Sequence, residues 1–133
     1  MNRVSFDFDW TLSFPDGTSY EPMVKLLKWL LKKGRTVYIV SSRDNDYNNK
    51  THIQQFLDSH GITGLEDIIL TNGNLKYSTL LHIKVTDHFD DDPIELEEAT
   101  AHGIITHNVW SDVHEDKCRY IYERYKPTDS SNT

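Results

Sequence analysis

Residues 4–12, VSFDFDWTL, decide the fold class because a short strand-like run ends in acidic residues. The β-branched and aromatic residues of 4–8 are typical of a β-strand. Asp7 and Asp9 are two positions apart, so on a strand their side chains would leave the same face. Two carboxylates at a buried sheet edge repel each other, and a bound cation offsets this unfavourable repulsion. The pattern therefore indicates either a cation site or an acidic strand end that faces water.

Strands and helices alternate along the rest of the chain. Residues 10–20 contain the turn signal Pro15-Asp16-Gly17 and are expected to form a loop or short hairpin. Asp92 is the expected N-cap of a later helix, with Glu95 three residues further on as in a capping box. We expect further strands at 36–41, 67–70, within 84–90 and at 104–109, and helices at 21–33, 50–59, 75–82, 93–102 and 114–125. This alternation predicts an α/β fold, a three-layer Rossmann-like sandwich around a mainly parallel five-stranded sheet.

Length and composition limit the classes of protein that fit. The 133 residues suffice for a single domain, expected at 1–125, with a flexible tail at 126–133. No apolar run approaches a membrane span, and the single Cys118 favours a reducing, cytoplasmic setting. The net charge of −7 argues against a general nucleic-acid or membrane-surface binder. The acidity is local, because residues 87–98 hold seven acidic residues and neither Lys nor Arg.

Polar side chains collect where three of the predicted strands end. The first strand ends at 7–9, the second at 41–43 and the fourth at 90–92. In open α/β sheets, ligands bind at the carboxyl ends of the strands. Carboxylate oxygens are ligands that Mg²⁺ prefers, together with oxygens of a substrate phosphate. This edge is therefore either a Mg²⁺ site or a solvated acidic face.

Four short motifs in a definite order resemble those of the haloacid dehalogenase-like phosphohydrolase superfamily. The first is an apolar strand followed by Asp-x-Asp-x-Thr, the second a Ser closing the next strand, the third a Lys at a helix start, and the fourth an acidic pair followed by another acid. They are matched by Asp7, Asp9 and Thr11, by Ser41, by Lys76, and by Asp90, Asp91 and Glu95. The resemblance spans about residues 3–109. The four motifs together, in this order, are specific for the superfamily, whereas any one of them alone is not.

The resemblance implies a role for each of these residues. Asp7 would attack phosphorus and form an aspartyl-phosphate, while Asp9 would protonate the leaving oxygen and later deprotonate water. Mg²⁺ would be held by the Asp7 carboxylate, the Asp9 backbone carbonyl and the Asp91 carboxylate, with Asp90 and Glu95 in support. The expected phosphate-binding residues are Thr11, Ser41, Ser42, Arg43 and Lys76. The second Asp favours phosphate over halide removal.

Three assignments leave alternatives open. Lys84 competes with Lys76 for the third motif, although it is more simply a solvated lysine beside strand four. Arg43 is similar in position to the Arg of Ser-Gly-Arg in polynucleotide 3′-phosphatase domains, but a surface arginine is equally consistent. Trp10 stands where many relatives have Gly, and it either covers the loop or stacks on a base.

The short connections indicate a capless enzyme with an open site. Residues 10–20 are too few for a cap domain, and one helix and one strand fill most of residues 42–75. The resemblance then favours a nucleotide or a nucleic-acid 3′-phosphate as substrate. Another small metabolite or a phosphoprotein, a phosphotransferase reaction, and a non-catalytic phosphate- or metal-binding module are the alternatives.

Overall fold

Five parallel strands form one sheet within residues 2–109, the part of the chain that this computed structural model describes. The strands are β1 (Arg3–Phe6), β2 (Thr36–Ser41), β3 (Asp67–Leu70), β4 (Asp87–Asp90) and β5 (Ile105–Asn108). The helices are α1 (Glu21–Lys32), α2 (Tyr47–Ser59), α3 (Tyr77–His82) and α4 (Pro93–Ala101). The predicted three-layer α/β fold is confirmed.

Strand β1 lies at the centre of the sheet, whose order is β3-β2-β1-β4-β5. It pairs with β2, which places Phe6 beside Ile39, and with β4, which places Phe6 beside Phe89. Three strands with polar carboxyl ends are therefore neighbours, as the sequence predicts. Their ends open on the same edge because all pairs are parallel.

Both faces of the sheet are covered by apolar side chains. Along β2, Val37 and Ile39 belong to one buried cluster, and Tyr38 and Val40 belong to the other. This alternation follows from the two-residue period of a strand. The larger cluster takes buried residues from α1 and α2, and the smaller one takes Leu80 of α3 and Ala99 of α4, among others. The sheet is thus buried on both sides, as is usual for parallel sheets.

The chain leaves the central strand earlier than predicted. Strand β1 ends at Phe6 rather than at residue 8, because a turn follows in which the Phe8 carbonyl accepts from the N–H groups of Thr11, Leu12 and Ser13. Asp7 and Asp9 therefore lie beyond the strand, and the expectation that strand alternation places them on one face is wrong. Asp7 is buried, whereas Asp9 is partly exposed.

Other boundaries differ by a few residues. Helix α2 begins at Tyr47 rather than at residue 50, because Asp46 caps it by accepting from Asn49 N at 2.8 Å. The loop at residues 7–20 is built from turns and two isolated bridges, and no described connection is long enough for a cap domain. The predicted helix at 114–125 and the tail at 126–133 lie outside the described residues. None of the described helices has the length and apolar character of a membrane crossing.

Candidate active site

Lys76 is the centre of the candidate site, although it is almost completely buried, with 2% of its surface exposed. Its Nζ donates to Asp7 Oδ1 at 2.9 Å and to Asp90 Oδ2 at 2.7 Å. Burial alone would lower the pKa of Lys76, but the charges of Asp7 and Asp90 outweigh this and raise it. The ammonium group is therefore charged at neutral pH. Lys84, the other candidate, is exposed.

Glu95 holds the backbone of Lys76 rather than its own helix. The Glu95 carboxylate accepts from Lys76 N at 2.9 Å and is buried. The capping box expected for α4 is therefore wrong, since Asp92 N donates to Asp90 Oδ1 at 3.1 Å instead of to Glu95. Asp92 is the N-cap as predicted, accepting from Ile94 N at 2.9 Å. Glu95 thus fixes the start of α3 against α4.

Asp90 accepts four hydrogen bonds and has no oxygen lone pair left. Its Oδ2 accepts from Lys76 Nζ at 2.7 Å and from His88 Nε2 at 2.8 Å. Its Oδ1 accepts from the backbone N–H groups of Asp91 and Asp92 at 2.8 and 3.1 Å. Burial would raise the pKa of Asp90, but the bonds from the His88 and Lys76 side chains and the Lys76 charge lower it below its usual range. A carboxylate offers about four lone-pair sites. The four hydrogen bonds occupy all of them in Asp90, so none is left to bind a metal ion.

Asp7 and Asp91 remain as carboxylates that fit a divalent cation. Carboxylate oxygens of Asp7, Asp90 and Asp91 lie within 4.8 Å of one another. Thr11 Oγ1 lies between two of them, 3.4 Å from Asp7 Oδ2 and 3.3 Å from Asp91 Oδ1. Since Asp90 is saturated, an oxygen-preferring ion such as Mg²⁺ would take Asp7 and Asp91. The ligation of a cation by the Asp9 carbonyl stays a prediction.

The electrostatics of the acidic group favour a cation. Burial raises the pKa of Asp7 well above its usual range, against the lowering effect of Lys76. Burial also raises the pKa values of Asp91 and Glu95. Nearby positive charge favours the ionised form of a carboxyl group. A bound divalent cation would therefore keep Asp7 and Asp91 ionised.

Arg43 forms a bidentate salt bridge with Asp9. Its Nε and Nη2 donate to the two Asp9 carboxylate oxygens at 2.8 and 2.7 Å. Its guanidinium carbon lies 5.2 Å from the centre of the Phe8 ring, and its Nη1 lies 2.8 Å from His52 Nδ1. The sequence indicates a solvated arginine or a phosphate ligand but does not predict this pairing. Arg43 thus connects the loop after β2 to the loop after β1.

The other expected phosphate-binding residues lie around this connection. Ser41 is buried, and its Oγ accepts from Arg43 N at 3.2 Å, while Ser42 is exposed. Trp10 adopts φ of 63°, a left-handed conformation that glycine adopts more easily, and this explains why glycine suits the position. The Trp10 ring is half exposed and packs edge-on against Phe14, with ring centres 5.9 Å apart.

Ser5 and His88 also belong to the site, although no sequence motif predicts them. His88 is completely buried between Ser5 Oγ, 2.7 Å from its Nδ1, and Asp90 Oδ2, 2.8 Å from its Nε2. The usable signal was positional: His88 and Asp90 are two apart on a strand, and a parallel neighbour places Ser5 beside His88.

Neither a family model nor a curated protein matches this sequence. Solved structures do match. An uncharacterized protein from Corynebacterium glutamicum aligns at a TM-score of 0.61 and 17% identity, covering 93% of this chain and 92% of that chain. A probable YrbI family phosphatase from Pseudomonas syringae aligns at 0.51 and 16% identity, covering 92% and 83%. The 3-deoxy-D-manno-octulosonate 8-phosphate phosphatase from Moraxella catarrhalis aligns at 0.47 and 17% identity, covering 74% and 62%.

The fold is shared. At these identities the first two likenesses concern the fold alone, and they agree with the fold that the haloacid dehalogenase-like resemblance implies. One of these two structures is that of a probable phosphatase. The similarity to polynucleotide 3′-phosphatase domains stays a prediction.

Proposed function

We propose that the protein is a Mg²⁺-dependent phosphomonoesterase that acts through an aspartyl-phosphate on Asp7. The observation that carries the proposal is the buried Lys76 ammonium, which bonds both Asp7 and Asp90 at the carboxyl edge of the central strands. A buried cation beside a carboxylate and a possible metal site suits the transfer of a phosphoryl group, whose charge must be offset. The shared fold with a probable phosphatase supports the same reaction class.

The reaction uses the side chains in two steps. In the first, an Asp7 oxygen attacks phosphorus, the bond to the leaving oxygen breaks, and Asp9 gives that oxygen a proton. In the second, Asp9 takes a proton from water as the water oxygen attacks phosphorus and releases Asp7. Lys76 donates to a phosphoryl oxygen with the proton that Asp7 and Asp90 do not use. Mg²⁺ held by Asp7 and Asp91 would offset the negative charge shared by nucleophile and substrate.

Asp9 can exchange its partner Arg43 for the substrate during this cycle. Both of its carboxylate oxygens accept from Arg43 in the structure. Each oxygen keeps a second lone-pair site that can hold the transferred proton, and a substrate phosphate that draws Arg43 away would free the first site as well. Arg43 is then available to a substrate oxygen. This exchange connects substrate binding with the freeing of the acid.

The substrate class in this proposal is a nucleotide or a nucleic-acid 3′-phosphate. Arg43 offers a planar group of donors that matches phosphate oxygens. The half-exposed Trp10 offers a face on which a base can stack. Within the described residues no cap domain covers the loops, so the site is open on the side of the leaving group. Other phosphorylated small molecules fit the same phosphoryl site.

The test is phosphate release with Mg²⁺ from an aryl phosphate, mononucleotides and a 3′-phosphorylated oligonucleotide. Asp7→Asn should abolish turnover, because the amide is a poor nucleophile and cannot form the aspartyl-phosphate. The matched control is Asp58→Asn, the same change at an exposed position late in α2, which should leave turnover intact. EDTA should stop the reaction.

Other outcomes would redirect the proposal. Near-normal turnover by folded Asp7→Asn would refute the nucleophile assignment. Phosphate transfer to an added hydroxyl acceptor in preference to water would identify a phosphotransferase. If no substrate releases phosphate but the protein binds Mg²⁺ and phosphate, the protein is a non-catalytic binding module.

A further inference from the structure

A chain of buried hydrogen bonds leads from the sheet interior to the proposed nucleophile. It runs from Ser5 to His88 at 2.7 Å, to Asp90 at 2.8 Å, to Lys76 at 2.7 Å and to Asp7 at 2.9 Å. All five residues are buried. The proposed reaction uses only the last two directly. The first three therefore need another explanation.

The chemistry of its neighbours fixes the tautomer of His88. The other three partners of Asp90 are all N–H donors, so Asp90 accepts throughout and His88 Nε2 carries the proton of that bond. Burial lowers the pKa of His88, so the ring is neutral and Nδ1 is an acceptor. The Ser5 hydroxyl must then donate to Nδ1. Each donor and acceptor of the imidazole is satisfied in one arrangement only.

This arrangement determines where Asp90 points. Two backbone N–H groups fix Asp90 Oδ1, and His88 is the only side chain besides Lys76 that bonds Asp90 Oδ2 within the described residues. Without the Nε2–H donor, Oδ2 would keep only its bond to Lys76 and could turn towards the cation ligands Asp7 and Asp91. Lys76 would then shift relative to the nucleophile.

We propose that His88, whose ring Ser5 holds through Nδ1, is a positioning residue that fixes Asp90 and thereby places the Lys76 ammonium beside Asp7. The inference rests on the proposed phosphoryl-transfer function for its kinetic consequence. It also makes a structural statement that is independent of turnover. His88 touches neither substrate nor metal and acts through Asp90.

The kinetic test compares His88→Phe with His88→Gln. Phe keeps an aromatic ring but removes the donor, whereas the Gln amide places an N–H near the position of Nε2. A misplacement of about 1 Å costs on the order of 10²-fold in rate, so we expect kcat to fall by about that factor in His88→Phe. His88→Gln should recover most of the loss.

The matched control is His107→Phe. His107 is also buried in the sheet and also bonds an aspartate, with its Nε2 3.0 Å from Asp87 Oδ2, but no described contact joins that pair to Lys76. Its replacement should lower the melting temperature with kcat unchanged. Equal loss of kcat in the His88→Phe and His107→Phe proteins, or in the Phe and Gln variants of His88, would overturn the positioning role.

Two readouts separate this inference from the phosphatase proposal. ¹⁵N NMR of wild-type protein at neutral pH should report a neutral His88 ring protonated at Nε2, and a ring protonated at Nδ1 would overturn the inference without any turnover assay. Titration with inorganic phosphate and Mg²⁺ should give about tenfold weaker binding for His88→Phe than for His88→Gln. If wild-type protein binds phosphate but does not turn over substrate, the phosphatase proposal fails while this binding comparison still decides the role of His88.

Discussion

At the residue scale, Arg43 and Asp9 have their charges satisfied by each other before any substrate arrives. The bridge is bidentate but only partly buried, so its contribution to the free energy of folding is about 0–1 kcal/mol. Its importance is geometric, because it holds the proposed acid next to a group that can bind phosphate. A residue that contributes little to stability can therefore have a large effect on turnover.

Replacing Arg43 by Lys tests this geometry. Lysine keeps the charge but cannot present two parallel donors, so we expect KM for a phosphomonoester to rise about tenfold, equivalent to ~1.4 kcal/mol. The free energy of unfolding should change by less than about 1 kcal/mol. Steady-state kinetics and urea unfolding measure the two effects.

The control for this change is Arg35→Lys, at the opposite end of β2. Arg35 lies just before the first residue of that strand, so the same substitution there leaves the candidate site untouched. It should leave KM unaltered. An unchanged KM in Arg43→Lys as well would remove Arg43 from substrate binding.

The sequence predicts which residues gather at the site better than it predicts how they pair. Asp7, Lys76 and Asp91 follow from motif order and from the convergence of parallel strand ends. The pairing of Arg43 with Asp9 does not follow, because it depends on the distance between two loops. The partner of Glu95 is not predicted either. Its spacing from Asp92 fits a capping box, but the packing of α3 on α4 brings the Lys76 backbone N–H to the Glu95 carboxylate instead.

At the element scale, the start of α2 depends on one cap. Residues 47–49, Tyr-Asn-Asn, have modest helix propensity, which is why the sequence predicts a loop there. The Asp46 side chain satisfies an N–H group of the first turn and extends the helix over these residues. A local hydrogen bond thus outweighs the propensity of three residues.

Removing this cap by Asp46→Ala should destabilise the protein by about 1 kcal/mol and lower the melting temperature by on the order of 4 °C. Asp44→Ala is the control, because Asp44 is exposed in the same loop and does not cap the helix. That variant should change stability by less than about 0.5 kcal/mol. Thermal unfolding followed by circular dichroism measures both, and equal shifts would show that the cap is not responsible.

At the scale of the whole molecule, the acidic edge of the sheet makes stability depend on pH and on Mg²⁺ together. The pKa of Asp7 is raised by burial, so its contribution to stability is full below the unfolded value of about 3.9 and is lost as the pH rises through the folded value. The pKa of Asp91 is also raised, so its contribution to stability depends on pH in the same direction. The pKa of Asp90 is lowered, so its stabilising contribution is present above the unfolded value and is lost only as the pH falls through the folded value.

Mg²⁺ should therefore stabilise the protein more at about pH 8 than at about pH 5, because it binds the ionised carboxylates and offsets the repulsion between their negative charges. The measurement is the difference between melting temperatures in millimolar Mg²⁺ and in EDTA across this range. Asp91→Asn should flatten the curve. A difference that is constant with pH, or absent, would argue against a cation at Asp7 and Asp91.

The central place of β1 has a consequence for synthesis on the ribosome. Ser5 faces a partner 83 positions later in the chain, and Asp7 is bonded to a lysine 69 positions later. At roughly 5–20 residues per second, the first strand waits on the order of 4–17 s for its second neighbour to be translated. During that time the edge of β1 that later pairs with β4 has no partner, and an unpaired strand edge makes a partly synthesised chain prone to aggregation and a client for chaperones.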